Sequence, residues 1–580
     1  MLLSRHCWPW LLSLVFLWVI PPVSADDDVD PLRFIPVQAD IVAKVENPAE
    51  ILKSGYDLKI VENFLKIKAV AEFYESTNAR RANQLVQYFE KELGADRYEL
   101  IDQLAGNGIV FAAKAENNPP VVLILQGKNE AITRKFVKLA KTVLESEFAR
   151  QENPAKIQHK KYNGINAYQL GEAYMAVAGS AIIVSNKKEA LKACADKYLG
   201  KSDNPSVLKN ESLIKARKFL PANPNAWAWV NLETLQKLPG AKNTFQGVDD
   251  AKAVHLSPGV GAFAIAGKAP FATAGFYIKE GNRFETVVKM PKGLDGFSKV
   301  VAENYYPGKG EGALPLLEPK NVLLSSSYFF DLSSFWKNRK KAMEPEALKA
   351  IANLEKLSGR FLLGTKFGQL MEWSGSHQRI VVAEQTRSVY KKKKSQIYIP
   401  SFALVHEVSD KKFTTAANRI LRTAALIGAA GLDLQMKKID RNGAKLVSYR
   451  FPEDKELEND QQNIRYAFSP TFTWVGNQFV ISSTQELAED LVDELQKEKN
   501  PRPGAFTSQT RVYGSGLGLV VKNFEEQLVP LAVLGQAMTP EEARRELRAG
   551  IRLLDQLGTL QSDIRYGKNQ FEMRFILDME

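Results

Sequence analysis

The sequence predicts an α+β fold in two tandem lobes, each a mainly antiparallel sheet with helices packed on one face. Three observations carry that prediction. The phrase SAIIVSNKKEALKA at 180–193 returns as NQFVISSTQELAED at 477–490, and each reads as a strand, a polar cap and a helix. Asn-Gly separates alternating segments at Asn163-Gly164 and again at Asn442-Gly443, a strong hairpin signal because a tight primed turn needs positive φ. Most strand-to-strand links are short, which demands antiparallel pairing, since a parallel crossover takes a dozen or more residues.

In chain order, residues 1–25 read as a secretory signal peptide: Arg5, an apolar run from Leu11 to Ile20, and the small-residue site Val23-Ser24-Ala25. The run is short for a membrane span of about 20 residues. Cys7 precedes it, so there is no lipobox, and no transmembrane segment is expected in the mature chain. The first lobe is placed at 32–292, a Gly- and Pro-rich linker at 293–312, and the second lobe at 313–580. Paired segments support this: 36–52 with 318–336, 119–145 with 400–426, 160–170 with 438–451, and 281–290 with 568–577. In the repeated phrase Gly179 matches Gly476, Val184 matches Ile481 and Ser185 matches Ser482. Asn186 and Ser483 then fall where a helix N-cap belongs, with Glu189 and Glu486 completing a capping box. Cys194 stands where the second phrase has Leu491, which makes it a small core residue rather than a reactive thiol.

Composition bounds function. The chain is 45% hydrophobic and carries a formal charge of +12, or +11 without Arg5. Cys7 leaves with the signal, so Cys194 has no intramolecular partner, which suits a bacterial exported protein better than a long eukaryotic secreted one. The sequon Asn210-Glu211-Ser212 is then incidental. Export argues against nucleic acid and leaves an envelope protein or an anionic polymer as the partner, met electrostatically. The densest basic runs are Lys391–Lys394 and Arg339-Lys340-Lys341; the former reads as a solvated hairpin tip or an edge-strand guard.

No reaction is announced by a motif. GSGLG at 514–518 resembles a nucleotide loop, but LVVKN after it reads as strand, and aligning Gly516–Leu519 with Ala226–Trp229 makes it an alternating small-large strand. Trp227 and Trp229 share a strand face and read as core rather than a sugar-stacking platform. His159, His255, His377 and His406 lack a His or Cys partner at ligand spacing, so no metal is expected. DDDVD at 26–30 reads as a solvated mature terminus. No Gly-x-Ser-x-Gly occurs. No catalytic, cofactor-binding or metal-binding residue and no cofactor is assigned.

The segments FIPVQADIVAKVENPAEIL (34–52), YELIDQLAGNGIVFAAKAENNPPVVLIL (98–125) and AYMAVAGSAIIVSNKKEALKA (173–193) resemble an uncharacterised family of exported bacterial proteins, domain of unknown function 3352. The resemblance spans most of the mature chain. It implies an envelope location, periplasmic or extracellular, and carries no active site with it. The expected function is a non-enzymatic exported binding or scaffold protein. A hydrolase of an envelope or extracellular polymer and a periplasmic assembly factor or carrier of apolar cargo are the alternatives.

Overall fold

A computed structural model describes residues 30–579 except 47, 151–156, 242–257, 306–311, 344, 359–361, 457–459, 461 and 499–500. The signal peptide at 1–25, the first four residues of DDDVD, His255 and part of the 293–312 linker lie outside the described residues. The chain mixes helix with antiparallel sheet and divides into two compact units, Met1–Gln246 with Ala269–Pro291, and Gly247–Lys268 with Lys292–Glu580.

In the first unit ten strands are described: β1 (Ile41–Val45), β2 (Ile109–Ala113), β3 (Val121–Gln126), β4 (Gln158–Tyr162), β5 (Ile165–Leu170), β6 (Ala173–Ala178), β7 (Ala181–Ser185), β8 (Ala226–Asn231), β9 (Phe271–Lys279) and β10 (Arg283–Pro291). They pair antiparallel in the order β4-β5-β6-β7-β3-β2-β1-β8-β9-β10. In the second unit the described strands are β11 (Val322–Phe329), β12 (Ser374–Ala383), β13 (Ser401–Val408), β14 (Gln435–Arg441), β15 (Ala444–Arg450), β16 (Thr471–Val475), β17 (Gln478–Ser482), β18 (Ser508–Tyr513), β19 (Thr559–Tyr566) and β20 (Gln570–Asp578). Their antiparallel order is β14-β15-β16-β17-β13-β12-β11-β18-β19-β20. Each strand of the first ladder thus has a counterpart ten labels on.

Register makes the correspondence residue by residue. Gly179 and Gly476, both at φ 59°, turn β6 into β7 and β16 into β17. Val184 and Ile481 then face Leu123 and Leu404, which in turn face Phe111 and Ile380. The Asn-Gly pairs close two-residue hairpins at positive φ, between Tyr162 and Ile165 and between Arg441 and Ala444.

Six expectations need correction. Helices cover both sheet faces, not one. Leu191, Cys194 and Ala195 of the 188–198 helix pack on Ile124 and Ile183, while Phe136 and Leu144 of the 130–149 helix face Met175 and Ile182 across the sheet. In the second unit Leu487 and Leu491 cover Val405 and Val480, and Phe413 and Ala417 cover Phe472 and Phe479. The cause is legible in VVLIL and AIIV: runs apolar at both parities have no face to leave in water.

GSGLG begins a helix, Gly514–Asn523, not a strand. A Cβ on Gly514 would lie 2.2 Å from the Leu554 carbonyl oxygen, and one on Gly516 2.6 Å from Leu323. The glycines therefore let this helix settle against the 540–556 helix and β11. The counterpart of β8 is β18, so Trp227 and Trp229 correspond to Gln509 and Arg511 rather than to leucines. Trp229 is fully buried in the core, as is most of Trp227.

The helix caps sit one residue later than expected, at Lys187 and Thr484. Asn186 and Ser483 instead bond the neighbouring strand: their side-chain oxygens accept from Val121 N–H at 2.8 Å and Phe402 N–H at 2.9 Å. Asp30, the described end of DDDVD, is buried. Its carboxylate caps the turn Pro31–Phe34 and meets Lys44. Within the expected linker, Lys299–Tyr305 is helical, and Leu294 N–H donates to Gly567 O at 3.0 Å.

Candidate functional site

Each unit buries one cation at the same rung of its ladder. In the first, Lys44 on β1 faces Val110 on β2; in the second, Ser327 on β11 faces Arg379 on β12. The two cations stand on different strands of that rung. Lys44, 2% exposed, reaches Asp30 at 3.2 Å and Glu46 at 2.7 Å, and Glu46 also accepts from Trp227 Nε1 at 2.8 Å. Arg379, 0% exposed, donates to Glu498 at 2.6 Å and to Pro315 O at 3.2 Å, while its Nε and Nη2 have no protein partner. Both cations tie the segment entering the sheet to its floor. They are structural: buried, paired and away from any cleft.

The first turn of the 188–198 helix and that of the 485–497 helix occupy equivalent places and differ in exposure. Lys188 and Glu189 are exposed and Lys187 is half-buried, with no side-chain cap on the helix. In the second unit Thr484 through Ala488 are all buried. Thr484 Oγ1 accepts from Leu487 N–H, and Ser469 Oγ accepts from Gln485 N–H at 2.8 Å. Lower down both helices are held alike: Tyr162 OH donates to Asp196 at 2.7 Å, and Arg441 Nε to Asp493 at 3.0 Å.

What buries the second turn is the connection between β12 and β13, residues 384–400, where the first unit has only 114–120. Arg387 donates to Asp490 at 2.6 Å and to the Glu486 carbonyl at 3.4 Å. The Val389 amide and Ser469 hydroxyl face the Glu486 carboxylate, yet burial still pushes that acid upward. The Tyr390 hydroxyl donates to Phe468 O at 2.7 Å and accepts from Phe451 N–H at 3.1 Å, and burial pushes its pKa up to about 12. Glu453 accepts from the amides of Lys392 and Lys393, so Lys391–Lys394 lies in this strap, with Lys391, Lys392 and Lys394 exposed, in the connection of two inner strands rather than on an edge strand. A polar hollow of about 310 Å³ remains beside it. Glu486 is not the capping glutamate expected from sequence: it anchors the strap.

Among the described residues no strap covers that ground in the first unit. A cleft of about 550 Å³ lies between the start of β3, the end of β2, the segment 35–39 and the exposed helical turn. Ile35, Ala39, Val122 and Ala190 give it an apolar floor, and Lys114, Lys187 and Glu189 a charged rim. Lys114 pairs with Glu116 at 2.5 Å. Buried Asp40 steadies the β2–β3 turn by accepting from Ala115 N–H at 3.0 Å. Glu189 thus faces the cleft rather than reaching back to Asn186.

The remaining sequence candidates serve the fold. Cys194 is buried, and its thiol is pushed up to about 12 by desolvation. His377 bridges Glu407 at 2.8 Å and Gly312 O at 3.1 Å. His406, buried beside Phe413 and bonded to Gln378, is pushed down to about 4. His159 stacks on Tyr168. Arg339 lies over the Trp336 ring at 4.0 Å, and Asn210 caps the Glu211–Phe219 helix. Among the described residues no group of three His, Cys, Asp or Glu could hold a metal ion, and no helix is long and apolar enough to cross a membrane. Neither the cleft nor the strap was legible as a site in the sequence; the signal that could have found them is the extra length of 384–400 inside an otherwise parallel pair of segments.

No protein-family model matches the chain, and no curated protein does. Among solved structures it is similar to crystal form I of TP0453, 11% identical over 45% of this chain and 78% of that one at a TM-score of 0.23. It is also similar to crystal form III of TP0453, 10% identical over 49% and 88% at a TM-score of 0.24.

Proposed function

We propose that this chain is an exported, non-catalytic binding protein of a bacterial envelope, built from two tandem copies of one unit, with its ligand seated in the cleft of the first. The observation that carries the reading is the uncovered helical turn beside an apolar-floored cleft, at the place where the second unit is covered by its own chain. A cleft of this size, with an apolar floor and a charged rim, suits a ligand presenting an apolar group beside polar ones. The tandem copies are supported by the shared strand order and by Asp196 and Asp493 holding equivalent helices. Export is supported by the Leu11–Ile20 run and Val23-Ser24-Ala25, and the uncharacterised exported family fits both features.

The hydrolase reading draws less support. The cleft's two carboxylates are Glu116, engaged by Lys114, and exposed Glu189, whereas the acid pushed upward by burial, Glu486, anchors the strap of the other unit. The test is binding of an environment-sensitive apolar dye to the full chain and to Ala190→Trp, which fills the floor. Saturable enhancement lost in Ala190→Trp supports the cleft; enhancement unchanged by that variant contradicts it.

A further inference from the structure

We propose that the uncovered turn and cleft of the first unit take a short extended peptide of a partner protein, one that is acidic and carries an aromatic side chain. This rests on the cleft reading above and adds the class of ligand to it.

The second unit displays how such ground is engaged. Its strap is an extended piece of chain crossing the first helical turn. It presents one amide, from Val389, to a buried carboxylate; one cation, Arg387, to the acids at 489 and 490; and one anchored aromatic ring, Tyr390. The first unit retains the carboxylate, as Glu189, but reverses the charge around it. Where the second turn has Thr484, Gln485, Glu489 and Asp490, the first has Lys187, Lys188, Lys192 and Ala193. Counting Glu189 and Glu486, the first set carries three lysines and one acid, the second three acids and no base.

A turn in a matching place with opposite charge selects an occupant of opposite charge, because like charges brought together across an interface are costly. The occupant therefore carries acids where the strap carries Arg387. The apolar floor of Ile35, Ala39, Val122 and Ala190 is open to the aromatic ring. The chain's own β2–β3 turn does not supply the occupant: 114–120 is already closed on itself by the Lys114–Glu116 pair and by Asp40.

The experiment uses two fluorescein-labelled peptides on the full chain, read by anisotropy. One is the 385–393 segment itself. The other is the same segment with Arg387→Glu, Lys391→Glu, Lys392→Glu and Lys393→Glu. The acidic peptide should bind at least about tenfold more tightly than the basic one, a margin that a few charge pairs across an interface supply. Lys187→Glu combined with Lys188→Glu should reverse the order, with unchanged far-UV circular dichroism, since acids are favoured at a helix N-terminus. Ala190→Trp should weaken both. Equal affinities, or a preference untouched by the lysine variants, overturns the proposal. If neither peptide binds while the dye signal is still lost in Ala190→Trp, the peptide class is wrong and the cleft reading stands; a dye signal indifferent to Ala190→Trp removes the cleft reading itself.

Discussion

Residues 187–191 and 484–488 begin helices that follow strands in matching places of their two ladders, β7 and β17, and they live in different solvents. The second stretch is buried from end to end; the first shows its lysines and its glutamate to water. Local sequence did not decide this, since both read as strand, cap and helix. What decided it is ten extra residues in a distant connection: 384–400 holds 17 positions where 114–120 holds 7. The longer connection leaves one helical turn packed where the shorter one leaves the other exposed. It also moves a glutamate from exposed, as Glu189, to buried with its pKa raised, as Glu486.

The comparison can be broken hardest at the buried cations. Glu498→Ala leaves Arg379 without a counter-charge and should cost about 3–5 kcal/mol, the usual penalty for orphaning a buried ion. Glu46→Ala leaves Lys44 with Asp30 and should cost less, about 1–3 kcal/mol. Chemical denaturation of the two variants checks the order; equal losses would remove the distinction between a cation with one carboxylate and a cation with two.

Acid provides the next contrast. His406 and Gln378 in the second unit stand where the first has Leu125 and Ile109. The histidine falls from an ordinary value of 6.5 to about 4 because burial disfavours its charged form. A base depressed on folding leaves the unfolded chain with the extra proton, so stability is intact above pH 6.5 and is lost as pH falls toward 4, with no further loss below. The 2.5-unit window corresponds to a loss of about 3 kcal/mol. Hydrogen exchange at β13 should accelerate over that range while exchange at β3 does not. The double replacement His406→Leu, Gln378→Ile should abolish the difference.

The smallest effect is at the caps. Thr484→Ala should cost about 0.5–2 kcal/mol. Lys187→Ala should stay within about 0.5 kcal/mol, because Lys187 contributes no cap bond. A comparable loss in both would mean that the first turn, too, is closed in solution.

Much of the fold was legible where chemistry is local. The two Asn-Gly turns, the Gly179 and Gly476 turns and the apolar spacing of Leu191, Cys194 and Leu491 each follow from backbone preference or helical period. Legibility failed where distant chain intervenes. Asn186 and Ser483 have the composition of caps, but a neighbouring strand offers an unpaired amide one residue earlier and takes them. GSGLG looked like a strand because nothing nearby reveals that Leu554 and Leu323 press against it. The burial of Asp30 needed Lys44, and that of Glu486 needed a strap some ninety positions upstream. The cleft is the space left where that strap is missing, and a one-dimensional reading has no term for it.

Hydrogen exchange of the free full-length chain tests the two-state contrast between the helical starts most directly. The amides of Gln485 and Leu487, held by Ser469 and Thr484 beneath the strap, should exchange slowly. Their counterparts at Lys188 and Ala190 should exchange at rates near those of open chain, and slow when the acidic peptide is added. Equal protection of the two turns in the free protein would contradict the account, for it would mean that the first unit's cleft is already filled.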